Sequence, residues 1–323
     1  MDALSHVLLG FILGQASQLD GNLQLLLIVS SIGLDIDAIS VRSPEAAFRS
    51  HRGPVHSVLA AVLAAAIISV GYAIFMRHST TAFVSVFLIC ITGVLSHLIL
   101  DLPATGNMAV LWPFSKRNFA FNLAHYIDPT TLGALILAAV VIIYARTDVS
   151  TIRLVAALAC GFLTLSFGAR CYMKYTAVKM IKALDATGSS AIRSLPTYRP
   201  DRWCTVRRTQ FENGYRYNLY QVDSIRSKIL SKGSVESPYI SYSGSVEPPI
   251  DSPQKAVTCS KRNKRTSSFI EKFALPAVDV SLSDDQATWK VFWYDAFTCL
   301  NKEARHGILV SVRINGTITV NAH

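Results

Sequence analysis

The segment SHLILD places His97 and Asp101 four residues apart, which puts both on one face of a helix and lets them share a metal ion. Upstream, HRGPVHS sets His51, Arg52 and His56 directly against SVLAAVLAAAIISVGYAIFM, a run without charge. Ionisable groups bordering a membrane span are costly and by default mark function. GLDID adds Asp35 and Asp37, and His6 stands at the head of another apolar stretch. Imidazole and carboxylate donors without thiolate suit Zn²⁺, Mn²⁺ or Fe²⁺ better than Ca²⁺ or Mg²⁺, with zinc the first expectation. His6, Asp35, Asp37, His51, His56, His97 and Asp101 outnumber the ligands of a single tetrahedral ion, so one or two ions are expected. Asp35 and Asp37 point apart in regular structure; one is expected to bind metal while the other acts as general base or orients a ligand. Arg52 is expected to hold an anionic group of a substrate or to neutralise charge in the transition state.

These residues fall at the ends of apolar runs. Four long ones, at about residues 55–76, 82–100, 130–145 and 152–172, approach the roughly 20 residues that cross a hydrocarbon core. Two shorter runs, LSHVLLGFILGQ and LQLLLIVSSIGL, flank the polar turn ASQLDGN and predict a hairpin of short helices among the longer ones. In that layout His6 opens the first short helix and Asp35 and Asp37 close the second. His51 and His56 precede the third segment, and His97 with Asp101 end the fourth. Up-and-down alternation brings all these ends to one membrane boundary. Taken singly, each histidine is an ordinary interfacial polar group; their shared location points to a metal site. His78 and His125 read as loop histidines, with His125 and Asp128 near enough to line the site. Phe114, Phe119, Phe121 and Tyr126 read as an interfacial aromatic belt. Thr105 and Gly106 read as a turn beside the site, and Ser57 as a helix cap.

Composition agrees with a membrane protein carrying a soluble extension. Of 323 residues, 51% are hydrophobic and 16% charged, against roughly 25% charged in soluble domains. Residues 1–172 hold nine Lys and Arg against eight Asp and Glu, whereas 173–323 hold twenty-two against thirteen, a net of +9. Arg42, Arg49, Arg52, Lys116, Arg117, Lys174, Lys179 and Lys182 fall on one side of alternating segments. The positive-inside rule makes that side cytoplasmic, together with both termini. A basic tail there lies near anionic lipid, and no helix-turn-helix, RNP or zinc-finger pattern supports nucleic acid as its partner. The first Lys or Arg is Arg42, so the charged region of a cleavable signal peptide is not expected. Six scattered cysteines without CxxC give no sign of a disulfide framework or thiolate zinc site.

The expected fold class is mainly α: a polytopic helical bundle of four long and two short helices over residues 1–175, then a small, mostly β cytoplasmic domain over 176–323. MKYTAVKMIKALDAT continues as an amphipathic helix, and RWCTVRRTQFENGYRYNLYQVD predicts a hairpin turning at Asn213-Gly214. WKVFWYDAF and GILVSVRINGTITV supply further strands, the latter with a turn at Asn315-Gly316. The Ser-, Pro- and Lys-rich stretch at about 231–267 reads as a long loop or disordered insertion.

Together, His6, LDID, HRGPVHS and SHLILDLPATGNMAVLWPFS resemble the membrane-bound metal-dependent hydrolase family, the YdjM-like group, also described as LexA-binding and inner-membrane-associated. The likeness covers about residues 1–175. The family pattern is HRG, any residue, then Thr-His-Ser; Val55 stands in place of that Thr and removes its hydroxyl. Gly33-Leu34 replaces a Pro often found before the acidic motif, and PTYRPDRW looks like the entry to the C-terminal extension of some members. Membership implies a bacterial or archaeal inner-membrane hydrolase. The order His, Asp, His, then His-x-x-x-Asp is also similar to zinc-dependent phospholipase C and P1-type nucleases. His6, Asp35 or Asp37, His51 or His56, and His97 with Asp101 take the corresponding places.

The function expected is thus a membrane-bound, metal-dependent hydrolase of a phosphoester or lipid-linked substrate, using metal-activated water at the cytoplasmic face. Its expected partners are membrane lipid, a small anionic or lipid-linked substrate and a cytoplasmic protein bound through the tail. Two alternatives are an ion-coupled transporter and a regulatory membrane anchor acting through its basic tail. Clustering at one face argues against the first, since transport sites usually lie near the midplane.

Overall fold

The computed structural model of the chain describes residues 1–35, 53–76, 80–115, 117–145, 148–184, 191–241, 244, 246–272, 275–296 and 307–322. It divides into two compact units, Met1–Tyr172 with Pro196–Pro200, and Met173–Leu195 with Asp201–His323.

In the first unit α1 (Ala3–Ala16) and α2 (Gly21–Ile32) form the expected short hairpin. Asp2 and Asp20 cap them, accepting from the Ser5 and Leu23 backbone N–H groups, both at 3.0 Å. The helices approach closely because glycine leaves room. A Cβ on Gly10 would come within 2.5 Å of the Ser31 hydroxyl. Beyond α2 a 3₁₀ turn, Gly33–Asp35, ends the described stretch, and a second, Pro54–His56, leads into α3 (Val58–Met76). Then come α4 (Thr80–Asp101), α5 (Pro129–Ala145) and α6 (Val149–Lys182).

All four long apolar segments are therefore helices. Among the described residues two of them, Phe83–Asp101 and Val149–Lys182, are long and apolar enough to cross a membrane; α3 and α5 are shorter apolar helices. At 1.5 Å per residue the 34-residue α6 extends about 50 Å, beyond a hydrocarbon core of roughly 30 Å. Lys174, Lys179 and Lys182 sit on that excess length. A core of Leu9, Ile12, Leu135, Ile142 and Ile152 joins α1, α5 and α6. Ile67, Ile74, Leu137 and Leu165 are exposed, so these helices are apolar outside as well as inside, as lipid-facing helices are.

The second unit holds two four-stranded antiparallel meanders. The first comprises β1 (Ala191–Pro196), β2 (Arg202–Phe211), β3 (Gly214–Asp223) and β4 (Lys228–Ser237). The second comprises β5 (Pro276–Leu282), β6 (Thr288–Asp295), β7 (Gly307–Arg313) and β8 (Ile318–Ala322), with α7 (Pro253–Ser260) and α8 (Lys264–Lys272) preceding it. Val206, Tyr217 and Leu219 pack with Leu275, Ala277 and Tyr294 between the sheets.

Two tail expectations are corrected. The β2–β3 hairpin pairs Phe211 with Gly214, so its turn is Glu212-Asn213 and Gly214 already belongs to β3. Gly214 is there for space: a Cβ would lie 2.5 Å from the Ser237 carbonyl oxygen. Among its described residues the stretch 231–267 holds most of β4, all of α7 and the start of α8, in place of the expected loop or disordered insertion. The exposed strand β4 is held by its ladder with β3, and α7 buries Ala256, Val257 and Cys259 behind an N-cap at Ser252. Its polar composition concealed both.

Candidate metal centre

His6 lies in the first turn of α1, Asp35 closes the turn after α2, His56 precedes α3, and His97 and Asp101 sit in the last turns of α4. The five converge and all are buried. His97 Nε2 lies 3.3 Å from His56 Nε2, 3.5 Å from Asp35 Oδ1 and 3.7 Å from Asp101 Oδ2. His56 Nε2 is 3.6 Å from Asp35 Oδ1 and 3.8 Å from Asp101 Oδ2, and His6 Nε2 is 3.4 Å from Asp101 Oδ1. The His6 and His97 rings stack at 3.8 Å. The α-amino group of Met1 contacts Asp101 Oδ1.

The separations of 3.3–3.8 Å suit donors around a common centre better than direct hydrogen bonds. A tetrahedron with ligands at 2.0–2.1 Å has edges of about 3.3–3.4 Å. His97 adds a second test. Its Nδ1 lies 2.8 Å from the Ser31 carbonyl, which can only accept, so the proton is on Nδ1 and the Nε2 lone pair faces the cluster. Crowding buried lone pairs and carboxylates in this way requires cations or protons among them. The donor set fits a metal ion. Two groups can hold one, His6 with Asp35 and His97, and His56 with His97 and Asp101. Both use His97, whose Nε2 lone pair can bind one ion, so among the described residues only one of the two groups can be filled at a time.

Asp37, His51 and Arg52 lie outside the described residues, as do His78 and Lys116. Ser57 is a cap, accepting from the Ala60 backbone N–H at 3.1 Å. Gly106 has φ +119° at the expected turn, and the side chain of Val55 is exposed. Asp128 does not join the cluster. It caps α5 through Thr131 and pairs with buried Arg170 of α6 at 2.8 Å, while the His125 ring lies tilted against those of Tyr126 and Tyr198. Burial would raise the Asp128 carboxyl, but hydrogen bonds from Thr131 and Arg170 outweigh it and hold it below its ordinary value. The Ser31 carbonyl and Arg170 were not foreseen: a backbone acceptor has no sequence signature, and Arg170 stands alone in an apolar run.

A family described as YdjM inner membrane protein matches residues 1–177, more than half of the chain. The chain belongs to the YdjM family. An inner-membrane location follows, and the two apolar spans of this YdjM-family chain fit it. Comparison with curated proteins and with solved structures finds no match.

Proposed function

We propose that the chain is a multi-pass, metal-dependent hydrolase of the inner membrane, acting on a phosphoester or lipid-linked substrate at the cytoplasmic face. The observation that carries this is the convergence of three imidazoles and two carboxylates from four helix ends into one buried cluster. His6, His56, His97 and Asp101, whose side chains are fully enclosed, are the metal holders. The Asp35 side chain keeps 11% exposure, which makes it the carboxylate nearest to incoming water and the general base. A bound zinc ion would lower the pKa of water toward neutrality and polarise the scissile group. α3 and α5 are read as further spans, tilted or thinning the bilayer around them. Both termini are placed in the cytoplasm, with the tail of net charge +9 beside anionic headgroups or a cytoplasmic protein.

The test is direct. Protein purified in detergent should carry about one metal ion per chain and hydrolyse bis-p-nitrophenyl phosphate, with His97→Ala losing both. Full metal occupancy in His97→Ala would reject the centre. A metal-loaded wild type that moves ions in proteoliposomes and hydrolyses nothing would favour transport.

A further inference from the structure

Between α4 and α5 the chain makes a short hairpin. Met108 and Phe119 exchange both backbone hydrogen bonds, at 2.8 and 2.9 Å, and the tip is tightened by bonds from Trp112 to Ala109 and from Ser115 to Leu111. The hairpin has two unlike ends. At its base Met108 is buried with Leu34, Ala61, Val94 and Leu98, next in sequence to the cluster residues Asp35 and His97. The Val110 carbonyl accepts from the Val58 N–H at 2.9 Å, two residues past His56. At its tip Leu111, Trp112 and Phe114 are turned out, exposed by 45%, 43% and 84%. Beside them the Arg117 guanidinium lies 5.6 Å over the Phe119 ring.

An apolar tip at the end of a bundle of apolar helices is costly in water and favourable at a bilayer surface. Trp and Arg settle at the headgroup level, and Phe and Leu bury at the acyl boundary just beneath it. The hairpin starts seven residues after Asp101, at the helix end that closes α4, so it stands where that boundary must lie. We propose that the tip Leu111–Phe114 docks into the headgroup–acyl boundary of the bilayer that holds the helices, and that it feeds a bilayer lipid headgroup toward the His/Asp cluster. The second half rests on the hydrolase reading; the docking does not. The base is packed against the elements that carry Asp35, His56 and His97, so one short hairpin joins the lipid-docking tip to the cluster.

Docking is tested with the full chain in vesicles of phosphatidylcholine and phosphatidylglycerol, by comparing wild type with Trp112→Phe. The difference emission, which belongs to Trp112, should be quenched by lipids brominated high on the acyl chain more than by those brominated near its end. Quenching by aqueous acrylamide and not by brominated lipid overturns the docking. For delivery, Phe114→Ser should hydrolyse a long-chain phospholipid in vesicles at least about tenfold more slowly, the scale of one large apolar side chain leaving lipid. Bis-p-nitrophenyl phosphate should be cleaved at the wild-type rate. Equal loss on both substrates, or on neither, overturns delivery. A metal-loaded wild type inert toward both substrates sinks the hydrolase reading, and delivery with it, while the quenching result decides the docking by itself.

Discussion

Asp128 and Arg170 show what a charge requires inside an apolar unit. Arg170 is buried in α6, and its guanidinium reaches both oxygens of Asp128, at 2.8 and 2.9 Å, and the Leu123 carbonyl. Asp128→Asn keeps a good N-cap for α5 but takes away the carboxylate charge that faces the buried guanidinium. It should destabilise the membrane unit by about 3–5 kcal/mol, read as thermal loss of the monodisperse species in detergent. Because the folded carboxyl titrates below its ordinary value, this contribution is complete above about pH 3.9 and fades as pH falls through the folded pKa. The gap between wild type and Asp128→Asn should therefore close in acid. A gap that stays constant down to acid unfolding would show that packing, and not charge, is what the substitution removes. At this scale the sequence was most legible where residue type carries the chemistry. His6, Asp35, His56, His97 and Asp101 were all read from type and position, whereas the Ser31 carbonyl that orients His97 was not.

Helix packing fixes how well that orientation holds. A Cβ on Gly93 would stand 2.7 Å from the Leu27 carbonyl oxygen, 2.7 Å from Ser30 Cβ and 3.1 Å from the Ser31 nitrogen. Two of these are backbone atoms, so α2 and α4 must separate to admit it. Separation stretches the 2.8 Å contact between the Ser31 carbonyl and His97 Nδ1. Gly93→Ala should cost about 1–3 kcal/mol as overpacking and weaken metal affinity by about 10–100-fold, measured by competition with a chelator. Gly133→Ala, where nothing lies within 4 Å of the new Cβ, is the control and should leave metal affinity unchanged. Equal affinities in the two variants would mean that the Ser31 contact is incidental. Apolar runs announced the helices because their length exceeds anything a loop tolerates. In the tail, β4 was missed because a strand held by its ladder needs no apolar face.

Over the whole molecule, charge and family likeness divide the chain near the same place. The match ends at residue 177, the first unit runs to Tyr172, and the excess of positive charge lies beyond it. All five cluster residues and the helices that present them belong to the first unit. The one piece of later chain counted with that unit is Pro196–Pro200, where the Tyr198 ring lies tilted against His125, centroids 4.1 Å apart. A chain ending at Pro200 retains every contact described for the cluster and discards both β-sheets except β1. It should bind metal with the stoichiometry and affinity of the full chain, and His97→Ala should abolish binding equally in both. If the shortened chain inserts and stays monodisperse yet holds no metal, donors from beyond Pro200 complete the centre. In that case a site assembled from the first unit alone would have to be abandoned.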